Sequence, residues 1–555
     1  GAVRKVIGQP LFLAFFKDSW FNGGMKRKAA APVFKPYTMD QPHLLPPSLD
    51  ELIEPGHLVR VVRAAIDQLD LGPLLAQYKG GGTSSYHPQM LLKVLVYAYC
   101  SKIYSSRRIA AALRENIHFM WLSGGNRPDF RTINDFRGQR MKNVIDEVFA
   151  EVLTYLIEAG YVQLEHYFVD GTKVGADANQ HKVVWAKRTA RYRQRVREQI
   201  GELLQQIEQV NADEQAEYGD ADLEERGPAG GGEIDSGQLK ERIEQLNERL
   251  RERQQPKPER QATEKALKQL ATDCLPRLEK YEQQTATLAG RSSYAKTDPD
   301  ATCMRMKEDR GAERPWPKPA YNVQVGTEGQ FIVGFSVHDQ AGDTGCLIPH
   351  LEQVRQNTGG RLPQNVVADA GYGSEENYAY LDQQQVGNYL KYNTFYQDTH
   401  RYRDPAVLRA HQFRAENFTY DAATDTFSCP AGQRLHFQYT TRYTSDNGYL
   451  SDRRVYQCLA CTDCPLRSLC TRAKGNRQIR ISFRLLAYRQ QARDNLTSAA
   501  GVRLRAARSV EVESVFGHIK QNMGFRRFHL RGRAKVQTEW GLVSIAHNLK
   551  KVAAA

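Results

Sequence analysis

His166-Tyr-Phe-Val-Asp170-Gly171-Thr-Lys173 is a short apolar run of β type that ends in a carboxylate and a glycine, and such strand ends are where open α/β sheets present functional groups. The same design returns at Asn365-Val-Val-Ala-Asp369-Ala-Gly371-Tyr372-Gly373. Between the two lie Tyr321–Val325 and Phe331–Val337, two further strand-like runs joined by the tight turn Thr327-Glu-Gly-Gln330. The pattern predicts an α/β unit with Asp170 and Asp369 at strand ends.

A third carboxylate comes from a helix. In Val510-Glu-Val-Glu513-Ser-Val-Phe516-Gly517-His-Ile519-Lys520 the apolar positions Val512, Val515, Phe516 and Ile519 make one face. On α-helical spacing Glu513, Gly517 and Lys520 share the neighbouring face, which lines up a carboxylate with a cation suited to phosphate, while Glu511 points elsewhere. Phosphodiester cleavage needs an activated oxygen nucleophile and neutralisation of charge at phosphorus, a task two divalent ions held by a few carboxylates perform. Each carboxylate alone has a plainer reading as a turn former or a surface ion pair. Asp177, Asp300 and Asp343 compete for the role and rank lower: Asp300 reads as turn chemistry and Asp343 as a helix-entry residue.

The charge of the chain fits a polyanionic partner: 77 Lys and Arg against 63 Asp and Glu give a formal net charge of +14 over 555 residues. No run of about 18 apolar residues exists, and a cytosolic, nucleoid-associated protein is expected. Residues 1–45 read as a leader and N-terminal segment, with Met25 as a natural start.

Residues 46–160 have helical periodicity, as in Leu91, Leu92, Leu95, Val96 and Tyr99, with turns at Lys79–Ser85 and Gly124–Asp129. The segment from Ser105 through Arg107 and Arg108 to Arg137 suits either a helix-turn-helix reader with exposed arginines or a helical bundle with a basic face. Residues 186–295 carry a coiled-coil seam, Val196, Ile200, Leu203, Ile207 and Val210, then Leu239, Ile243, Leu246 and Leu250, split by the glycine-rich Gly227–Gly232. A helical hairpin inserted between core segments 161–185 and 296–400 is predicted. Residues 401–480 form a cysteine-rich insertion in which Cys429, Cys461, Cys464 and Cys470 have spacings for tetrahedral zinc, with Cys458 as the alternative partner of Cys461. Residues 481–555 close the core with basic helices that include Arg508, Arg526 and Arg527.

Phe168-Val-Asp170-Gly-Thr-Lys, Thr297-Asp-Pro-Asp-Ala, Tyr321-Asn-Val-Gln, Ala368-Asp369-Ala-Gly-Tyr372, Val512-Glu513-Ser-Val-Phe516-Gly-His-Ile-Lys520 and Gly524-Phe-Arg-Arg-Phe528 together resemble the DDE transposases of bacterial insertion sequences, in particular the IS-eleven-eighty-two group. Tyr86-His-Pro-Gln, Ser105-Ser-Arg and Pro128-Asp-Phe-Arg-Thr-Ile extend the resemblance over roughly residues 40 to 550. It implies an α/β RNase H-like catalytic core, a mixed five-stranded sheet with helices, interrupted by the coiled-coil and cysteine-rich insertions and preceded by an all-α N-terminal DNA-binding domain. It also implies Asp170, Asp369 and Glu513 as ligands of two Mg²⁺ or Mn²⁺ ions, with a structural Zn²⁺ at the cysteines. Lys520, Arg508, Arg526, Arg527, Arg107, Arg108 and Lys173 would contact double-stranded DNA, and a homodimer would pair two transposon ends. The reaction implied is hydrolysis to free 3′-hydroxyl ends, then joining of those ends to target DNA. Related chains follow a pattern with Tyr and Arg at the positions of Ala506 and Ser509, so Arg508 is the candidate substitute here. Two alternatives remain: a transposase-derived DNA-binding protein that does not cut, and an RNase H-like nuclease without strand transfer.

Overall fold

Strand β1, His166–Gly175, is the axis of the fold. In the computed structural model, which describes residues 48–78, 85–218, 234–252, 257–306, 309, 316–399 and 411–555, β1 is flanked by antiparallel β5, Lys318–Glu328, and parallel β7, Asn365–Ala368. Two short strands, β2 Val183–Trp185 and β3 Ser293–Ala295, pair with each other, and β4 is Thr302–Met304. Strand β6, Phe331–His338, folds back on β5 through the predicted turn, and β8, Gly387–Leu390, extends the sheet beyond β7 in parallel. The resulting order β6-β5-β1-β7-β8 is a mixed five-strand arrangement consistent with an RNase H-like core. It becomes six-stranded because β4 continues the β6 edge along the start of β5.

Every residue of β6, and all of β5 except its two ends, is buried, which is why these strands read as continuous apolar runs with no alternation. Tyr167 shows how closely they are packed. Its ring lies where a side chain on Gly326 or Gly334 would have to go, and its hydroxyl is 2.7 Å from His350 Nε2.

Three expectations change on contact with this geometry. The N-terminal helices Leu58–Gln68, Pro88–Cys100 and Ile145–Glu158 form no separate core: their buried faces join the same apolar cluster as the sheet, within the single compact unit Leu49–Ala555. The cause is the last helix, Arg533–Val552, in which every residue from Thr538 to Leu549 is buried. It packs on β6, on Pro88–Cys100 and on Ile145–Glu158. A helix buried all round is a core element, so this part of the tail closes the core, as expected, but as an enclosed helix and not a basic one.

Between β2 and β3 the helical insertion has three arms, not two. Ala186–Tyr218 is followed by Ser236–Glu252 and by a long arm from Lys257 to Leu288 that contains a π-turn at Leu270–Cys274. The first arm packs chiefly against Leu275–Leu288. Val196, Ile200, Leu203 and Ile207 meet Leu267, Leu270, Cys274 and Leu278 as well as the Leu239, Ile243 and Leu246 seam, so three faces share one core. The side chain of Val210, the Gly227–Gly232 break, residues 1–45 with Met25, most of the Lys79–Ser85 turn, and residues 401–410 lie outside the described residues.

The cysteine-rich segment is a five-stranded antiparallel sheet: β9 Thr419–Asp421, β10 Thr426–Ser428, β11 Arg434–Thr444, β12 Leu450–Cys458 and β13 Gln478–Ile481, in the order β13-β12-β11-β10-β9. Its small core joins Phe418, Phe427, Leu435, Tyr456, Cys458 and Ile479.

No described helix is long and apolar enough to cross a membrane.

Candidate active site

The parallel pairing of β1 with β7 ends at Val169 opposite Ala368. Asp170 and Asp369 are the next residues on each strand, so the sheet register sets them side by side. Asp170 is not at its strand's end, as the sequence suggested. β1 runs on to Gly175 along β5 after β7 has left, and Asp170 stands where the parallel partner diverges. Its Oδ1 accepts the Gly171 amide at 2.8 Å, and the residue is 6% exposed. Asp369 turns outward as the cap of Ala370–Tyr372 and accepts the Gly371 amide at 2.8 Å.

Glu513 approaches from the other side, on a helical run that is irregular. Ala499–Arg508 is α-helical, Ser509–Glu513 is a π-turn, Ser514–Gly517 is α-helical again and His518–Asn522 is a second π-turn. The apolar face is as predicted, with Val512, Val515, Phe516 and Ile519 all buried. The seven-residue alignment of Glu513 with Lys520 assumed α geometry, which the π-turns break; Lys520 Nζ donates to the Lys173 carbonyl at 3.0 Å.

The first π-turn has a larger effect on Arg508. Wide i to i+5 turns place the residue five before Glu513 on the side that the residue four before would occupy in an α-helix. Arg508 therefore stands between the carboxylates, Nη1 at 3.8 Å from Asp170 Oδ2 and Nη2 at 3.7 Å from Glu513 Oε1. Glu511 is drawn away, as expected: its Oε2 accepts the Gln330 amide at 2.7 Å.

Among the other predicted DNA contacts, Arg107 and Arg108 are exposed on Ser106–Glu115, the first over the Phe130 ring at 4.9 Å. Arg137, expected on an exposed face, is buried and donates to the Tyr104 carbonyl at 2.6 Å and the Tyr99 hydroxyl at 3.2 Å. Arg526 and Arg527 lie beside the end of β1, where the Gly175 amide bonds the Arg526 carbonyl and the Phe528 amide bonds the Gly175 carbonyl. Arg527 and Arg531 pair with Asp177 at 2.8 and 2.9 Å, which occupies that competing carboxylate. Asp300, read from sequence as turn chemistry, receives the Arg533 amide at 2.9 Å, a contact to the start of the last helix.

Asp343 was ranked low from sequence, and here the structure departs most from that reading. It does sit at the entry of the short turn Thr344–Cys346, but its side chain does not cap that turn. Oδ1 accepts Asn322 Nδ2 at 2.7 Å and Gln324 Nε2 at 2.9 Å, both from β5. Gln324 in turn accepts the Tyr372 hydroxyl. Burial, and then Asp343, Asp170 and Asp369, push that hydroxyl well above its ordinary range, so it stays protonated and donates. The glycines that follow the two aspartates also face Asp343. A side chain on Gly171 would overlap its Oδ1, and one on Gly371 would come within 3.0 Å of Asp369 Oδ1 and 3.8 Å of Asp343 Oδ2. Thr344 Oγ1 on the Gly371 carbonyl at 2.7 Å fastens the two loops together. The signal available in sequence was the pair Asn322 and Gln324, two amides alternating on a buried strand, which need an acceptor.

All five clustered cysteines line one small cavity: Cys429 after β10, Cys458 closing β12, and Cys461, Cys464 and Cys470 beyond it. Burial raises the Cys458 thiol to about 11, with Cys461 and Cys429 adding to the effect, and burial raises Cys470 as well. Among the described residues, no three of the His, Cys, Asp and Glu side chains are grouped so as to hold a metal ion. The four predicted zinc thiols are thus neighbours without forming a ligand set, and the Arg508 guanidinium stands between Asp170 and Glu513, two of the three carboxylates expected to act together.

From this small sheet the β11–β12 hairpin reaches back to the site. Ser451 Oγ bonds Glu375 Oε2 at 2.7 Å and Ser445 Oγ bonds Glu376 Oε2 at 3.2 Å, while Asn447 lies beside Gly345 in the Asp343 loop. Its surface carries arginines stacked on aromatics, Arg453 at 3.6 Å over Tyr443 and Arg454 at 4.3 Å over Phe437.

Two segments of the chain match models of transposase domains. Residues 428–553 match the family model described as Transposase DDE domain, and residues 47–139 match the one described as Transposase domain (DUF772). The first match contains the five clustered cysteines, strands β11 to β13 of their sheet, Arg508, Glu513 and Lys520; Asp170 and Asp369 lie outside both. No curated protein and no solved structure matches the chain.

Proposed function

We propose that the protein is a DDE-type DNA transposase, with Asp170, Asp369 and Glu513 as its catalytic carboxylates. The observation that carries this reading is the register of β1 and β7, which sets two aspartates side by side opposite a glutamate of the matched DDE domain. The residues fit a divalent ion, because the Arg508 guanidinium already stands as a positive charge between Asp170 and Glu513. Two Mg²⁺ or Mn²⁺ ions held there would make an attacking oxygen nucleophilic and offset the charge that builds at phosphorus.

The chain's own part is to bind and orient DNA. Lys520, held against the β1 backbone, and Arg526 beside it supply positive charge along one rim, and the arginine-bearing hairpin β11–β12 supplies it along another. With its place between Asp170 and Glu513 taken by a cation, the Arg508 guanidinium would be free to contact a phosphate oxygen. In the first step a water oxygen bonds to phosphorus and the 3′-oxygen leaves as a hydroxyl. In the second that hydroxyl attacks a target phosphodiester and a target 3′-oxygen leaves, so the number of phosphodiester bonds is unchanged. Two copies acting together would hold two DNA ends. The neighbouring thiols support a structural zinc at Cys429, Cys461, Cys464 and Cys470, provided that their side chains close on the ion.

Asp170→Asn should abolish Mg²⁺-dependent nicking of DNA carrying the element's ends while leaving binding to that DNA intact; undiminished nicking refutes the assignment. Plasmid integration separates a transposase from a nuclease without strand transfer. Metal analysis of protein purified without chelator tests the zinc, and a zinc-free folded protein removes it.

A further inference from the structure

The helical run that follows Glu513 also lines a cavity of about 480 Å³, within the range of roughly 300–1,000 Å³ typical of ligand sites. Its walls are Leu58 from the N-terminal helices, Gln330 from the β5–β6 turn, Ser514, Val515 and His518 from the run itself, and His547, Lys550 and Lys551 from the last helix, with Ala553 and Ala554 at the rim. Among the described residues, none that lines it is acidic. Glu511, whose carboxylate feels the Lys551 charge, is held by the Gln330 amide.

Two features organise the cationic wall. Lys550 Nζ is fixed by the Cys100 carbonyl at 3.2 Å, and Lys551 Nζ rests 5.1 Å from the centre of the Phe331 ring. The two imidazoles form a relay with assignable protons. His547 Nε2 is 2.9 Å from the Gln330 carbonyl, which can only accept, so that nitrogen carries a hydrogen. His547 Nδ1 then accepts from His518 Nδ1 at 2.9 Å. Burial, with His518 and the two lysines, holds His547 down to about 4, while burial, Lys550 and Lys102 lower His518. Both rings are therefore neutral at pH 7, and His518 can take up a second proton, at Nε2, once a negative ligand offsets the lysines.

A concave site with two fixed ammonium groups, a neutral donor relay and no lining acid favours a compact anion with several oxygens. We propose that this cavity binds a phosphate group, either a phosphodiester of bound DNA or a free phosphate ion. The DNA source rests on the transposase reading; the free-ion source does not.

Calorimetric titration with inorganic phosphate and the salt dependence of duplex DNA binding, on the full chain and on Lys550→Gln/Lys551→Gln, test it. Loss of phosphate binding by at least tenfold identifies a free-ion site. A salt slope reduced by about one for each lost phosphate contact identifies a DNA site. Parent and variant that agree in both measurements overturn the proposal. Thermal unfolding checks that the variant is folded, and His518→Gln, which keeps both lysines, replaces it if it is not. Asp170→Asn should bind phosphate like the parent, so failure of the catalytic assignment and failure of this site are told apart.

Discussion

Arg508 is the residue whose removal gives the most informative measurement. It stands 3.8 Å from Asp170 and 3.7 Å from Glu513, and a unit pair near 4 Å is worth about 4 kcal/mol at an effective dielectric of 20. The Glu513 arm adds well under ~1 kcal/mol, because that side chain is 57% exposed and water screens it. On the Asp170 arm desolvation of both charges offsets much of the attraction, yet deleting one partner of a buried pair leaves the other uncompensated, at about 3–5 kcal/mol when burial is complete. With Arg508 itself partly exposed, Arg508→Ala should cost about 2–3 kcal/mol in metal-free buffer.

Under the proposed function a divalent ion would supply the same charge. Denaturant unfolding should therefore show the deficit in chelator and recover most of it in saturating Mn²⁺, and calorimetry should show Mn²⁺ binding tightened by roughly tenfold for each 1.4 kcal/mol recovered. An equal deficit with and without Mn²⁺, at unchanged Mn²⁺ affinity, refutes the idea that Arg508 holds the place of an ion. The π-turn adds a control. Moving the arginine by Arg508→Ala with Ser509→Arg should not rescue nicking, whereas deleting Ser509 restores α spacing with Arg508 four residues before Glu513 and should retain it.

Asp343→Asn sets an amide against the Asn322 and Gln324 amides, and should slow nicking by at least tenfold while circular dichroism is unchanged; full activity removes Asp343 from the site. Gly171→Ala overpacks the same contact and should destabilise by about 1–3 kcal/mol in denaturant melts. Burial lowers His338 and His547 to about 4 and His350 to about 3. The unfolded chain therefore binds more protons than the folded one between these values and 6.5, and stability should be full above pH 6.5 and fall as pH drops toward 4. His350→Gln should flatten that slope.

The sequence made strands β1 and β7 legible because in each an apolar run gives way to an aspartate and a glycine, and it made the Glu513 helix legible through Val512, Val515, Phe516 and Ile519. What it concealed has specific causes. A π-turn inserts one residue without any residue-type signature, so the route from Arg508 to Glu513 was invisible to a 3.6-residue period. Asp343 was read from its local chain, whereas its partners lie some twenty residues back on a strand buried on both faces. Strands β9, β10 and β13 have three or four residues each, too few for alternation to register. The third helical arm hid its contacts among lysines and glutamines, with Leu267, Leu270, Cys274 and Leu278 deeply buried along it.

The burial of Arg533–Val552 also orders events in time. Tyr99 bonds Glu539, and Cys100 bonds the Ala546 carbonyl, contacts that span more than four hundred residues of chain. On a ribosome the N-terminal helices emerge long before the segment that completes their core, so loop closure over that span must precede a finished interior. Until then their apolar faces are open to chaperones, and the carboxylates have no rigid seat. Under the proposed function, competence to cut is thereby tied to synthesis of the helix Arg533–Val552, so chains terminated before it should fail to fold and should leave DNA uncut.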